Sequence, residues 1–176
     1  KEAIDILLGK GPEDLKELCI TLGAYMLLLA KKAENIDSAK EIVKEAIQSG
    51  KAFSVFKEFV KRQGGNISFI DDVELLPKAK EIYELKAEVT GYIHKIHANT
   101  VGISAMILGA GRENKDSVID LSVGIVLNKK CGDYVKKGDV LAYLHSNNES
   151  LTEQSILKMK AAYEIKENIP EKGPLI

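Results

Sequence analysis

Two Gly-Asp pairs stand six residues apart in the run Gly132-Asp133-Tyr134-Val135-Lys136-Lys137-Gly138-Asp139-Val140-Leu141, and no other feature constrains the local fold as much. In each pair the glycine reaches backbone angles closed to other residues, and the aspartate can bond nearby backbone groups, so each marks a tight turn. Val135 and Leu141 are the inward-pointing residues. Two such turns in so short a stretch predict a small, sharply folded β-structure.

The residues around this run carry the period of strands. Tyr83, Leu85, Ala87 and Val89 alternate before a turn at Thr90-Gly91, and Tyr92 to His97 reads as a second strand. Asn99 is placed to cap a short helix through Val101, Ile103, Met106 and Ile107, which Gly109-Ala110-Gly111 ends. Further strands are expected at Ile119 to Leu127 and Val140 to Leu144. A helix follows from Thr152 to Ala161, and an edge strand at Ala162 to Ile165.

The first third is helical instead. Ala3, Ile4, Leu7 and Leu8 form one stripe, and Gly11-Pro12-Glu13-Asp14 opens a longer helix with acids at its positive end. Leu15, Leu18, Cys19, Leu22, Met26 and Leu29 recur at helical spacing, widened by Ile20, Leu27 and Leu28, which predicts burial on most sides. A third helix is expected from Ser38 with Glu41 as its capping box, and a fourth carries Phe53, Phe56, Phe59 and Val60 as far as Gly64-Gly65. Four such helices could pack together, or could be the outer layer of a larger domain. Helical period is lost between Asn66 and Lys80, where Asp71-Asp72 and Pro77 suggest a linker. The expected division is therefore a helical segment at 1–75, a linker at 76–83 and an α+β domain at 84–176.

Composition excludes several classes. Lys and Arg number 25 against 26 Asp and Glu, for a net charge of −1, so no global field draws nucleic acid or an anionic membrane. The longest apolar stretch, Ala24 to Ala30, is too short to span a bilayer, and nothing at the N-terminus reads as a signal peptide. Cys19 and Cys131 lie far apart, which predicts two free thiols and a cytoplasmic setting. The sequence opens at Lys1, without Met, inside a helical pattern, so a piece of a longer protein is expected.

Candidate chemical groups are few. His94 and His97 would point to opposite faces of a regular strand, so they cannot share a metal ion. Gly109-Ala110-Gly111-Arg112 could cradle a phosphate, but its glycines follow a helix instead of preceding one, and a C-cap explains them better. Arg112 keeps a role in anion contact open. No Ser/His/Asp or Cys/His set, P-loop or HExxH run is present. The double Gly-Asp run resembles the turn signature of barrel-sandwich domains, the group that includes biotinyl and lipoyl carriers. Those carriers show a lysine on a hairpin tip. The nearest match here, Lys158-Met159-Lys160, has helical spacing with Ile156 and Ala162, which argues against a prosthetic group.

A collinear set of motifs carries a broader resemblance. Lys1-Glu2-Ala3-Ile4-Asp5, Gly11-Pro12-Glu13-Asp14-Leu15, Leu18-Cys19, Leu22-Gly23, Gln63-Gly64-Gly65 and Leu76-Pro77 come first. Leu108-Gly109-Ala110-Gly111-Arg112, the run from Val118 to Val126, and the double Gly-Asp turns complete it. Together they are similar to the C-terminal portion of the pyrimidine-nucleoside and thymidine phosphorylases. The resemblance implies helices from the parent α/β phosphorylase domain, followed by a small α/β-hammerhead, barrel-sandwich-like domain. It implies a homodimeric parent that splits uridine, thymidine or deoxyuridine with phosphate. The catalytic and substrate-binding residues of that family would lie before Lys1, so these residues alone are expected to be inactive. One position carries over: Glu2 matches a glutamate that helps coordinate potassium in the bacterial enzymes.

Overall fold

The computed structural model describes residues 1–112, 114–171 and 173. Contacts divide the chain into two units that meet between Leu75 and Leu76. Among the described residues the architecture is α+β, with seven α-helices and two three-stranded antiparallel sheets.

The first unit is helical: α1 (Glu2–Leu7), α2 (Glu13–Leu29), α3 (Ile36–Gln48), α4 (Lys51–Arg62) and α5 (Ser68–Asp71). Gly9 adopts φ 76°, which ends α1, and Pro12 caps α2 in extended geometry. Helix α3 begins one turn earlier than the Ser38-Glu41 pattern suggests. Asn35 is its cap: its side chain accepts the Ser38 N–H at 2.9 Å, while Ser38 Oγ accepts the Asn35 N–H at 3.3 Å. Helices α2 and α3 approach closely at Gly23, where an added Cβ would lie 3.1 Å from Val43. The expected irregular stretch after Asn66 holds α5 and a 3₁₀ turn at Val73–Leu75. The Asn66 and Asp72 side chains accept the backbone N–H groups of Ser68 and Glu74 beside these turns, and Lys57 pairs with Asp71.

Helix α2 is not buried on most sides. Ile20, Thr21 and Ala24 are buried, but Leu22, Tyr25, Met26 and Leu29 are 49%, 53%, 68% and 84% exposed. The broad stripe read in the sequence thus has one covered edge and one bare edge.

The second unit contains β1 (Glu81–Lys86), β2 (Gly91–Ile96), α6 (Ala98–Ala105), β3 (Gly124–Leu127), β4 (Tyr134–Val135), β5 (Val140–Ser146), α7 (Glu149–Lys160) and β6 (Tyr163–Lys166). One sheet has the order β1-β5-β3 and the other β4-β2-β6. The two glycine turns link them. Gly138 donates its N–H to Ala87 O, and Ala87 returns its own to Asp139 O; Gly132 and Asp133 make the same exchange with Ile93, all at 2.8–2.9 Å. The sequence between the sheets is therefore gripped at both ends. Leu85, Ile93, Val135, Leu144 and Met159 fill the core beneath.

Three expectations need correction here. Asn99 does not cap α6; His97 holds the cap position, without a side-chain bond. The predicted strand Ile119 to Leu127 is a strand only from Gly124, because the Asp120 side chain bonds the Ser122 N–H and turns the chain there. Helix α7 starts at Glu149 and not Thr152, since Asn148 accepts the Leu151 N–H at 3.1 Å.

Candidate functional site

Residues 108–123 are the part of the resemblance with the most distinctive geometry. Leu108 is buried, and Gly109, at φ 104°, ends the π-type turn Met106–Ala110 that extends α6. The Gly109 carbonyl accepts the Asp120 N–H at 3.0 Å. The glycines thus end a helix and fasten a loop, as the C-cap reading expects. Arg112 is exposed just beyond them.

Asp120 is the hub of that loop. Its Oδ1 accepts the N–H and hydroxyl of Ser122 at 2.9 and 2.6 Å, and its Oδ2 accepts Asn147 Nδ2 at 2.7 Å. Asn147 also donates to Ser122 Oγ at 2.8 Å and accepts the Lys80 N–H at 2.8 Å. The Ser122 hydroxyl, the Ser122 N–H and then Asn147 hold the Asp120 carboxyl below its ordinary value. A carboxylate with both oxygens engaged and its charge favoured is a clamp, poorly suited to proton transfer. Nothing in the local sequence pattern marks Asn147 as a partner of this loop. The spacing Asp120-Leu121-Ser122 is the signal that could have found the turn.

The histidines have separate partners. A register shift between Ile93 and Lys95 leaves His94 as an extra residue in β2, so the strand's simple alternation does not hold there. His94 Nε2 donates to Asn168 O, and His97 Nε2 donates to Glu164 Oε1, each at 2.6 Å. His145 lies in β5 opposite Ile82 and Gly124. The His97 hydrogen bond is the largest influence holding the Glu164 carboxyl below its usual range. Among the described residues no three His, Cys, Asp or Glu side chains gather as metal ligands.

The lysines flanking Met159 belong to α7. Met159 is fully buried and Lys160 pairs with Glu88 at 2.6 Å, so this is a helix packed on the core and not a hairpin tip. Cys19 and Cys131 are free and exposed. Tyr163 donates to Leu141 O at 3.2 Å, and burial, with Cys131 nearby, pushes its hydroxyl up to about 12.

Glu2 is the first residue of α1, exposed at the rim of an apolar groove of about 600 Å³ lined by Ile6, Leu15, Ile42 and Phe56. One carboxylate beside aliphatic side chains does not make a cation site. The donors these residues offer fall short of a potassium shell, so any site at Glu2 has to be completed by other residues.

Residues 92–166 match the family described as pyrimidine nucleoside phosphorylase C-terminal domain. The chain is 49% identical over 165 residues to a pyrimidine-nucleoside phosphorylase of Staphylococcus haemolyticus, covering 94% of this chain and 38% of that protein. It is 50% identical over 151 residues to that of Geobacillus stearothermophilus, covering 86% and 35%. With the Bacillus subtilis protein it shares 48% over 153 residues, covering 87% and 35%. The chain therefore spans little more than a third of the length of the relatives it matches. A match over 94% of the chain takes in residues of both units, and the chain belongs to the pyrimidine-nucleoside phosphorylase family as its C-terminal portion.

Proposed function

We propose that this chain serves as the C-terminal part of an enzyme that splits uridine, thymidine or deoxyuridine with inorganic phosphate. The products are the free base and a (deoxy)ribose 1-phosphate. The observation that carries the reading is the similarity over 94% of the chain to a protein of that name. Phosphorolysis requires a phosphate held beside the sugar C1′ and charge stabilisation for the departing base. Asp120, His94 and His97 are each committed to structural hydrogen bonds, which supports placing both requirements in residues outside this chain. Arg112, exposed after the Gly109 turn, is the group here best placed to meet an anion.

On this reading the second unit is an α/β-hammerhead domain, and the whole protein is a cytoplasmic homodimer in nucleoside salvage. Glu2 supplies one oxygen to a potassium ion whose other donors lie elsewhere. The carrier alternative finds no support, because the Lys158–Lys160 run is helical and its methionine is buried.

The test is release of free base from uridine and thymidine, with and without phosphate. The intact protein should turn over both phosphate and nucleoside, and the 176 residues alone should not. Hydrolysis by the intact protein without phosphate, or turnover by the 176 residues alone, would overturn the reading.

A further inference from the structure

The bare edge of α2 has a definite chemistry. Leu22, Tyr25, Met26 and Leu29 stand at i, i+3, i+4 and i+7, so they line one side of the helix. The opposite side is already used: Ala24 is buried, and Gly23 sits against Val43 of α3. From Leu18 to Ala30 the sequence holds no charged residue at all. A solvent-facing helix edge is normally polar, and an edge transiently used by a partner usually carries a polar rim. An uncharged helical stretch with apolar residues on both sides belongs between two layers.

The first unit supplies only one of those layers. Its buried apolar residues are few, Ile4, Ile6, Ile20, Ala24, Ala39 and Ile70, and of these only the two alanines are fully enclosed. The S. haemolyticus relative matches this chain over 38% of its length, which leaves 62% of that protein without a counterpart here. That remainder is ample to hold a second layer.

We propose that the Leu22–Tyr25–Met26–Leu29 edge is a permanent intramolecular packing surface, covered by an apolar layer of the same polypeptide from the part that precedes these residues in the relatives. The inference rests on the reading of this chain as the C-terminal part of a longer phosphorylase. A second copy of the chain is the competing occupant. An edge without charge favours cover that never leaves.

The chain reports on itself through its methionines. Met26 is exposed in the structure and Met159 is fully buried, so their sulfurs give an internal comparison for peroxide oxidation. In the purified intact protein, Met26 should oxidise no faster than Met159, at least about tenfold more slowly than solvent-exposed methionine. The protection should persist when subunits are diluted apart with the fold retained by circular dichroism. Rapid Met26 oxidation in the intact protein would overturn the proposal. Protection lost on subunit dissociation, with the fold retained, would overturn it in favour of a second copy. Phosphorolysis measured on the same sample separates the two readings. An active protein with a reactive Met26 sinks only the packing proposal, and an inactive one with a protected Met26 sinks only the proposed activity.

Discussion

Asp133 and Asp139 occupy equivalent places six residues apart: each accepts, through Oδ2, the backbone N–H of the lysine three residues before it, at 2.8 and 2.9 Å. Each also donates its own N–H to that lysine's carbonyl, at 3.1 and 2.9 Å. The glycines before them share nearly the same backbone angle, φ 93° and 96°. The turns are thus two copies of one device, Lys-X-Gly-Asp, set on either side of β4.

Removing either aspartate side chain should loosen its turn by about 1 kcal/mol, the usual net worth of one hydrogen bond. Asp133→Ala and Asp139→Ala should each lower the urea midpoint of the second unit's transition with an unchanged slope. Unaltered midpoints in both would show that the glycine alone sets the turn.

Gly91 should tolerate no side chain. A Cβ added there would lie 2.4 Å from the Lys166 carbonyl oxygen, a backbone atom that cannot rotate away. Gly91→Ala should therefore push β6 from β2, costing about 1–3 kcal/mol by overpacking. Amide exchange should accelerate at Ile165 and Lys166 more than in β5. Uniform exchange rates across both strands would contradict this.

The legible parts of the fold were those where one residue decides a local conformation. The paired glycines fixed two turns, and the period of Tyr83, Leu85 and Ala87 fixed β1, with Leu85 buried in the strand and Ala87 buried just beyond its end. Three of the misread boundaries share one cause, competition between side chains for the backbone; the start of α6 at His97 is a fourth and involves no side-chain cap bond. Asn35, Asn148 and Asp120 each bond an N–H two or three residues on, which moved two helix starts and shortened one strand. The bulge at His94 arises from pairing with β6, some seventy residues away, and no local pattern announces it. The candidate site was legible as resemblance and as the helix-ending glycines. The Asp120–Asn147 bond joins residues 27 positions apart and was not.

The His97–Glu164 contact makes the β2–β6 edge acid-sensitive. Glu164 is held below its ordinary value of 4.5 in the folded state, chiefly by the His97 hydrogen bond. A carboxyl depressed by folding contributes stability that is complete above the unfolded value and vanishes as pH falls through the folded one. The effect should therefore appear only below about pH 4.5. Glu164→Gln should flatten the pH dependence of stability in that window and leave it unchanged near neutrality. Superimposable acid-unfolding curves for the two proteins would rule the contact out as a contributor.

Asn147 should act as the fastener of the Asp120 loop. It contributes bonds to Asp120, Ser122 and the Lys80 backbone, so Asn147→Ala opens three contacts among three separate segments. These groups are reached by water, which replaces part of what is lost, and a net cost of about 1 kcal/mol is expected. The local consequence is more specific. Ser122 supplies the two leading influences on the Asp120 carboxyl and Asn147 the third, so the substitution should raise its titration only part of the way to normal. Carboxyl-detected NMR titration would measure that rise, and amide exchange would show faster opening at Asp120, whose N–H is held by Gly109 O. A titration curve that does not move, together with unchanged exchange at Asp120, would mean that Ser122 and Gly109 hold the loop without Asn147.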